Sequence, residues 1–457
     1  MTEAVNQTFD YAAQAAQFAE QTSAPAWLDS LKAEGVKAFG EYAWPTRKTE
    51  HWKYTNLSAL TKANFAQAAP ANSADLSEAV AKPLFDIEGL DAAQLVFING
   101  SFSSHLSTGI EELKALDSVE VVRFSEANEE QQQSITSHLG SITLNDQHMF
   151  SALNAGQLED GVFVRFLKNK KTDKAIQVVH LTTAQDQAFS VNARLLVVSE
   201  TGSQGVVVES FVSDDESQSA LVNSLTECKL EDNAKLFHYR LQLEQEDIIH
   251  VGGMHVAQQA SSQLESFHVG LGGKVKRVDI VVNHEGPGAH CDLKGVYLPQ
   301  NNQHIDYHTC IEHKVPHCTT DEVFRGIIAD QAKAVFNGRI HIHPDAQKTL
   351  AELNNRNLLL SNKAEINTKP ELEIYADDVR CAHGATIAQL DEKAMSYMLS
   401  RGISRQEAEV MLSFGFINEL LDDLAHHPIQ EKLRPILAQL FDKERFGKDK
   451  SLTRHIV

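Results

Sequence analysis

Apolar positions fall into three regimes along the chain. In the first, the alanine-rich run Thr8 to Gln21 and the run after Pro25 place apolar residues at helical spacing, and Pro25 suits a first helical position. Between Ala66 and Leu90 the sequence turns rich in Ala, Ser, Asn and Pro without a clear period. That predicts a loose connection and a boundary there. From about Leu95, short apolar or alternating runs take over, such as LVFING (Leu95 to Gly100) and VFVRFL (Val162 to Leu167), and these predict strands. A Glu- and Gln-rich interruption from Phe124 to Ala155 predicts a helical insertion. After Ser190 one strand-like run follows another, from ARLLVVS and GVVVESFV to LEIYA and CAHGATIAQL, with hardly any helix-length apolar stripe between them.

So many short strands leave a sandwich, a barrel or a solenoid. Sandwiches and barrels usually end by about 250 residues, whereas a solenoid grows because each coil touches only its neighbours. A solenoid also bends where other folds use hairpins, and Asn337-Gly338 is the tract's one two-residue hairpin signal. The expectation is a mainly β chain: a helical domain over 1–90, a β-helix over 91–388 and a helical domain over 389–457.

The last of these is well punctuated. Asp391 can cap a helix that runs to Arg401 and stops at Gly402, and Ser404 with Glu407 forms a capping box that opens a helix over Arg405 to Ala425. Pro428 suits the first turn of a third helix, expected to reach about Phe446. The middle helix carries two apolar stripes. Ala408, Met411, Leu412, Gly415 and Leu420 make one; Phe414, Ile417, Leu421 and Leu424 make the other. A surface helix needs one, so the second is either covered by the third helix or offered to another protein.

Charge then narrows the classes of partner. The chain has 41 Lys and Arg against 62 Asp and Glu, a formal balance of −21, which argues against nucleic acid and anionic membrane as partners. Its start, MTEAVNQTFDYAAQ, has no basic region followed by an apolar run, and no apolar stretch is long enough to span a bilayer. Five irregularly spaced cysteines argue against a disulfide framework and point to a reducing cytoplasm. Signatures of familiar enzymes are missing. GLGGKV at Gly270 lacks phosphate-loop spacing, so a nucleotide is expected on another chain; His284-Glu285 is separated from His290 by Pro287, and no G-x-S-x-G elbow occurs.

Two stretches carry candidate metal chemistry. The segment HIDYHTCIEHKVPHC (His304 to Cys318) puts His304, Asp306 and His308 on one face of a strand, as His341 and His343 are elsewhere. The spacing of Cys310, His313, His317 and Cys318 matches no zinc pattern. Structural or surface histidines are the expectation, and a metal-dependent β-fold enzyme using His304, Asp306 and His308 is the alternative. Cys381-Ala382-His383, at the last strand before the terminal helices, is sharper. Residues two apart on a strand point to the same side roughly 7 Å apart, and thiolate and imidazole are iron and zinc ligands. Two ligands do not close a site; the rest must come from a neighbouring coil, a sulfide or a second protein. A buried cysteine beside a solvated histidine is the plainer alternative.

The stretch from Val335 to Ile403, with NRNLLLS, TKPELEIYADDV and SRGI, resembles the shared carboxy-terminal core of the SufB/SufD family. PTRKTEHWKYTNL (Pro45 to Leu57) resembles the amino-terminal motif of its SufD branch, and Cys381-Ala382-His383-Gly384-Ala385-Thr386 resembles that branch's Cys-x-His-Gly-Ala-Thr run, where SufB proteins generally have His-Glu-Ala. The resemblance implies a right-handed parallel β-helix flanked by helical domains, in a complex with SufB and the ATPase SufC. It implies a non-enzymatic scaffold in which His383, with Cys381 beside it, joins SufB groups around a transient iron–sulfur cluster. It also favours SufC as what meets the Phe414, Ile417, Leu421 and Leu424 stripe. A homodimer in isolation and a purely structural adaptor without a ligand role are the other possibilities. Because a β-helix must end on unpaired N–H and C=O groups, its last coil is where a partner's sheet could join.

Overall fold

A computed structural model describes residues 24–69, 76–143, 145, 147–214 and 218–440. The Thr8 to Gln21 run lies outside them. From Val162 onward successive strands alternate between two sheets, and each pairs in parallel with the strand one coil away. The first sheet runs from Val119–Arg123 to Glu365–Ile374, and the second from Ser101–Phe102 to Arg380–Ala388. The fold is a parallel β-solenoid with helices toward both ends of the chain.

From Val162 onward corners replace hairpins, whereas ahead of the coils Asn99-Gly100, both at positive φ, turns a two-residue hairpin from Ala92–Ile98 into Ser101–Phe102. Where the chain passes from the first sheet to the second, one residue adopts positive φ at every corner but the last: Asn169, Gly202, Asn233, Ser261, Gly288, His317 and Lys348. His317 is thus a bend residue. Asn337-Gly338 sits inside the strand Lys333–Ile342 and makes no turn. Its glycine is required by packing, because a Cβ there would lie 2.5 Å from Leu353 and 2.8 Å from Phe336.

Alternation gives each strand an inner and an outer face. Inner positions such as Val278, Tyr307, Phe324, Phe336 and Leu353 fill the coil. Polar groups share that interior and are paired: Glu209 meets His238 and Arg240 at 2.9 Å and Thr226 at 2.7 Å, while Glu244 meets His250 at 2.7 Å and also Lys276. Burial pushes both carboxyls up, but the cations and hydrogen bonds outweigh it and hold them below the usual range.

Both outer faces are covered. Phe39, Leu57, Leu60, Met149 and Phe150 pack on the first sheet. The Phe124 to Ala155 region contributes helices Glu129–His138, opened by an Asn128–Gln131 capping box, and Met149–Gly156. The latter crosses the helix Asp29–Glu41 so closely that a Cβ on Gly35 would fall 2.4 Å from the Gly156 nitrogen. Over the second sheet lie helices Arg405–Asp422 and His427–Gln439. Asp391, Ser404 with Glu407, and Pro428 cap or open the terminal helices as their spacing predicts.

Candidate functional site

Register places the cysteine and histidine. The strand Arg380–Ala388 pairs on one side with Leu350–Leu359 and is the last strand of its sheet. Cys381 stands opposite Ala351 and His383 opposite Leu353, both inner-facing core residues. The two side chains therefore continue the inner face of the coil past its end. Cys381 is half-buried against the core and His383 is exposed. Burial raises the Cys381 thiol, opposed by a backbone hydrogen bond from Ala351. The neighbouring terminal strand Glu365–Ile374 ends the first sheet, and Ile374, Tyr375 and Ile387 leave apolar side chains exposed around the same end (43, 61 and 51%).

One row further in, opposite Leu353, lies Glu322. It is wholly buried, accepts from Thr309 Oγ1 at 2.5 Å, and leaves its second oxygen without a partner. Burial pushes its carboxyl up to about 8. No sequence motif flags it, because the neighbours that desolvate it come from other coils.

His304, Asp306 and His308 do share an outer face, and that face is engaged by the amino-terminal segment. Thr55 Oγ1 bonds to His304 Nε2 at 2.9 Å and donates to Asp306. Arg277 donates to Asp306 at 2.8 Å and to the His51 carbonyl at 2.8 Å, and its guanidinium lies over the Trp52 ring at 4.4 Å. Lys369 of TKPELEIYADDV pairs with Glu50 at 3.0 Å. The trio is a clamp for Pro45 to Leu57: Arg277, His308 and His304 hold Asp306 below the carboxylate range against the upward push of burial. His341 and His343 instead converge on Glu312.

On the helix Arg405–Asp422, Ile417 and Leu421 are fully buried, Leu424 just beyond it nearly so, and Phe414 half-buried. They pack on the second sheet and on His427–Gln439, so this stripe is covered by the chain itself. Met411 and Gly415 of the other stripe are left in solvent.

Residues 180–416 match the family model described as the SufBD core domain of SUF-system FeS cluster assembly, and residues 3–178 match the SufBD protein N-terminal region. The chain belongs to the SufB/SufD family. A SufBD family iron–sulfur cluster assembly protein of Synechocystis is 30% identical over 95% of this chain and 96% of its own length. The iron–sulfur cluster assembly proteins SufD of Escherichia coli and Bacillus subtilis are 28% and 27% identical, covering 90% and 92% of this chain and 95% of each relative. These relatives put the chain in the SufD branch of the SufB/SufD family. Among the described residues no helix is long and apolar enough to cross a membrane.

Proposed function

We propose that the chain is a non-enzymatic, cytoplasmic scaffold subunit in iron–sulfur cluster assembly, lending His383 and Cys381 to a nascent cluster at a seam with a SufB-type paralogue. One observation carries this reading: the ligand pair sits on the terminal strand of an open sheet edge, on the face that continues the interior. A paralogue that extends the sheet would pair with that strand and set its own side chains beside the pair. Imidazole and thiolate suit iron, and sulfide with the partner's groups would complete the set. The cluster is cargo, passed on after it forms. In isolation the same edge could pair with a second copy.

ATP would be handled by SufC. Its docking site is assigned to the solvent side of the terminal helices, where Tyr397, Leu399 and Met411 are exposed apolar side chains, with Phe414 at the margin. His383→Ala should leave the three-protein complex assembled while lowering its iron and sulfide content. Unchanged iron and sulfide in the mutant complex would rule out a ligand role. A Tyr397→Asp/Met411→Asp variant should keep its melting profile and lose SufC in a pull-down; retention of SufC would move the docking site elsewhere.

A further inference from the structure

We propose that Glu312, His341 and His343 form a site for one divalent transition ion of the zinc and iron(II) class, separate from Cys381 and His383. Parallel pairing puts Glu312 of the strand His304–His313 opposite His341 of Lys333–Ile342. Both are on the outer face of the first sheet, since the intervening Ile311 and Ile340 are core residues. His343 follows two residues later on the same side. Glu312 Oε2 lies 2.7 Å from His341 Nδ1 and 2.7 Å from His343 Nε2, and the three ligand atoms all fall within 4.8 Å of one another. An ion with bonds of roughly 2.1 Å holds its ligands roughly 3.0–3.4 Å apart. Small side-chain shifts therefore open the cluster to admit it.

The plain alternative is a carboxylate accepting two imidazole N–H groups. Arg339 argues against that arrangement being complete. Its Nη2 lies 3.3 Å from the same Nδ1 of His341 that faces the carboxylate. A protonated Nδ1 opposes the arginine, and a bare one opposes Glu312. An ion shared by Nδ1 and Oε2 resolves the second conflict. Arg339 keeps its other partners, donating twice to Glu373 at 2.8 Å and once to Glu312 Oε1 at 3.0 Å. That last bond fixes the carboxylate with Oε2 turned to the histidines, the usual task of an outer-shell group.

Charge and donor type agree. Glu312 and Glu373 against Arg339 leave one net negative charge for a cation to meet. Two imidazoles and a carboxylate favour zinc or iron(II) over magnesium or calcium. All three ligands are only half-buried. Glu312, together with Cys310 and Arg339, also lines a cavity of about 570 Å³ beside the amino-terminal segment, and the partial exposure of all three ligands leaves the remaining coordination positions open to water. Cys310 donates to the far oxygen of Glu312 at 3.4 Å and is not counted among the ligands.

The test uses the untagged full-length chain carrying Cys381→Ser and His383→Ala, so that its outcome is independent of the cluster-ligand proposal. After chelator treatment it is titrated with Zn²⁺ by calorimetry and with Co²⁺ by visible absorption. The expected result is one ion per chain, with a cobalt spectrum lacking a thiolate charge-transfer band. Adding His343→Ala should weaken binding by more than the roughly 10–100-fold cost of losing an outer-shell partner. Saturating Zn²⁺ should also protect His341 and His343 from carbethoxylation, read by mass spectrometry without any substitution at the site. No retained ion at micromolar Zn²⁺, or unprotected histidines at saturation, would overturn the assignment.

Discussion

Glu322 holds a proton that an exposed carboxyl gives up, because burial disfavours its negative charge by more than the hydrogen bond from Thr309 offsets. Its folded value, about 8, is raised above the unfolded one. The stability it contributes is thus fully present below the unfolded value, near 4.5, and is lost as pH rises toward 8. The slope is at most about 1.4 kcal/mol per pH unit. Glu322→Gln should remove that slope, so the stability difference between variant and wild type should shift in the variant's favour from pH 5 to pH 8. Paired urea melts at the two pH values measure this, and an unchanged difference would mean the carboxyl is ionised in the fold. At this scale the sequence tells half the story. Cys381 and His383 are readable as a same-side pair because strand alternation is local. Glu312 is not readable as a partner of His343, which lies 31 residues away and meets it only because one coil stacks on the next.

At the scale of elements, caps and breakers are readable and burial is not. Asp391, Ser404 and Pro428 mark their helices by local hydrogen bonding and fixed φ. The two stripes of Arg405–Asp422 cannot be ranked from sequence, because the sheet and the following helix together bury a face drawn from both, including Ala408, Ile417, Leu420 and Leu421. Leu421→Ala should cost about 2–5 kcal/mol by opening a cavity there, seen as a lowered urea midpoint. An exposed, partner-only role for Leu421 would leave the midpoint unmoved. The Pro45 to Leu57 segment makes a different kind of contact. Asp306→Asn removes the charge that holds Arg277 and Thr55 together, at a cost of about 1–3 kcal/mol. It should speed trypsin cleavage at Arg47, Lys48 and Lys53, and unchanged cleavage would show that the segment's other contacts, among them Trp52, Leu57 and the Glu50–Lys369 pair, anchor it without Asp306.

For the whole molecule, the solenoid follows from many strands without hairpin signals, yet its repeat is hard to see. Register steps are 290 − 263 = 27 residues in one place, 304 − 275 = 29 in another and 350 − 319 = 31 in a third, because corners differ in length while strands stay aligned. Such drift erases a fixed period without disturbing the stack. The open end is the feature with the largest consequence for assembly. Mixing with the SufB-type paralogue should slow amide exchange over 365–374 and 380–388; unaltered exchange in a complex that still forms would place the seam elsewhere.

The clamp under the amino-terminal segment joins residues made at very different moments. The His51 carbonyl is bonded by a side chain 226 positions later, and Glu50 pairs with one 319 positions later. At ordinary synthesis rates the segment therefore waits roughly 10–60 s outside the ribosome before its seat exists. During that interval Trp52 has no Arg277 beneath it. A nascent chain stalled before residue 277 should display the segment to proteases, whereas the released, full-length chain should hide it.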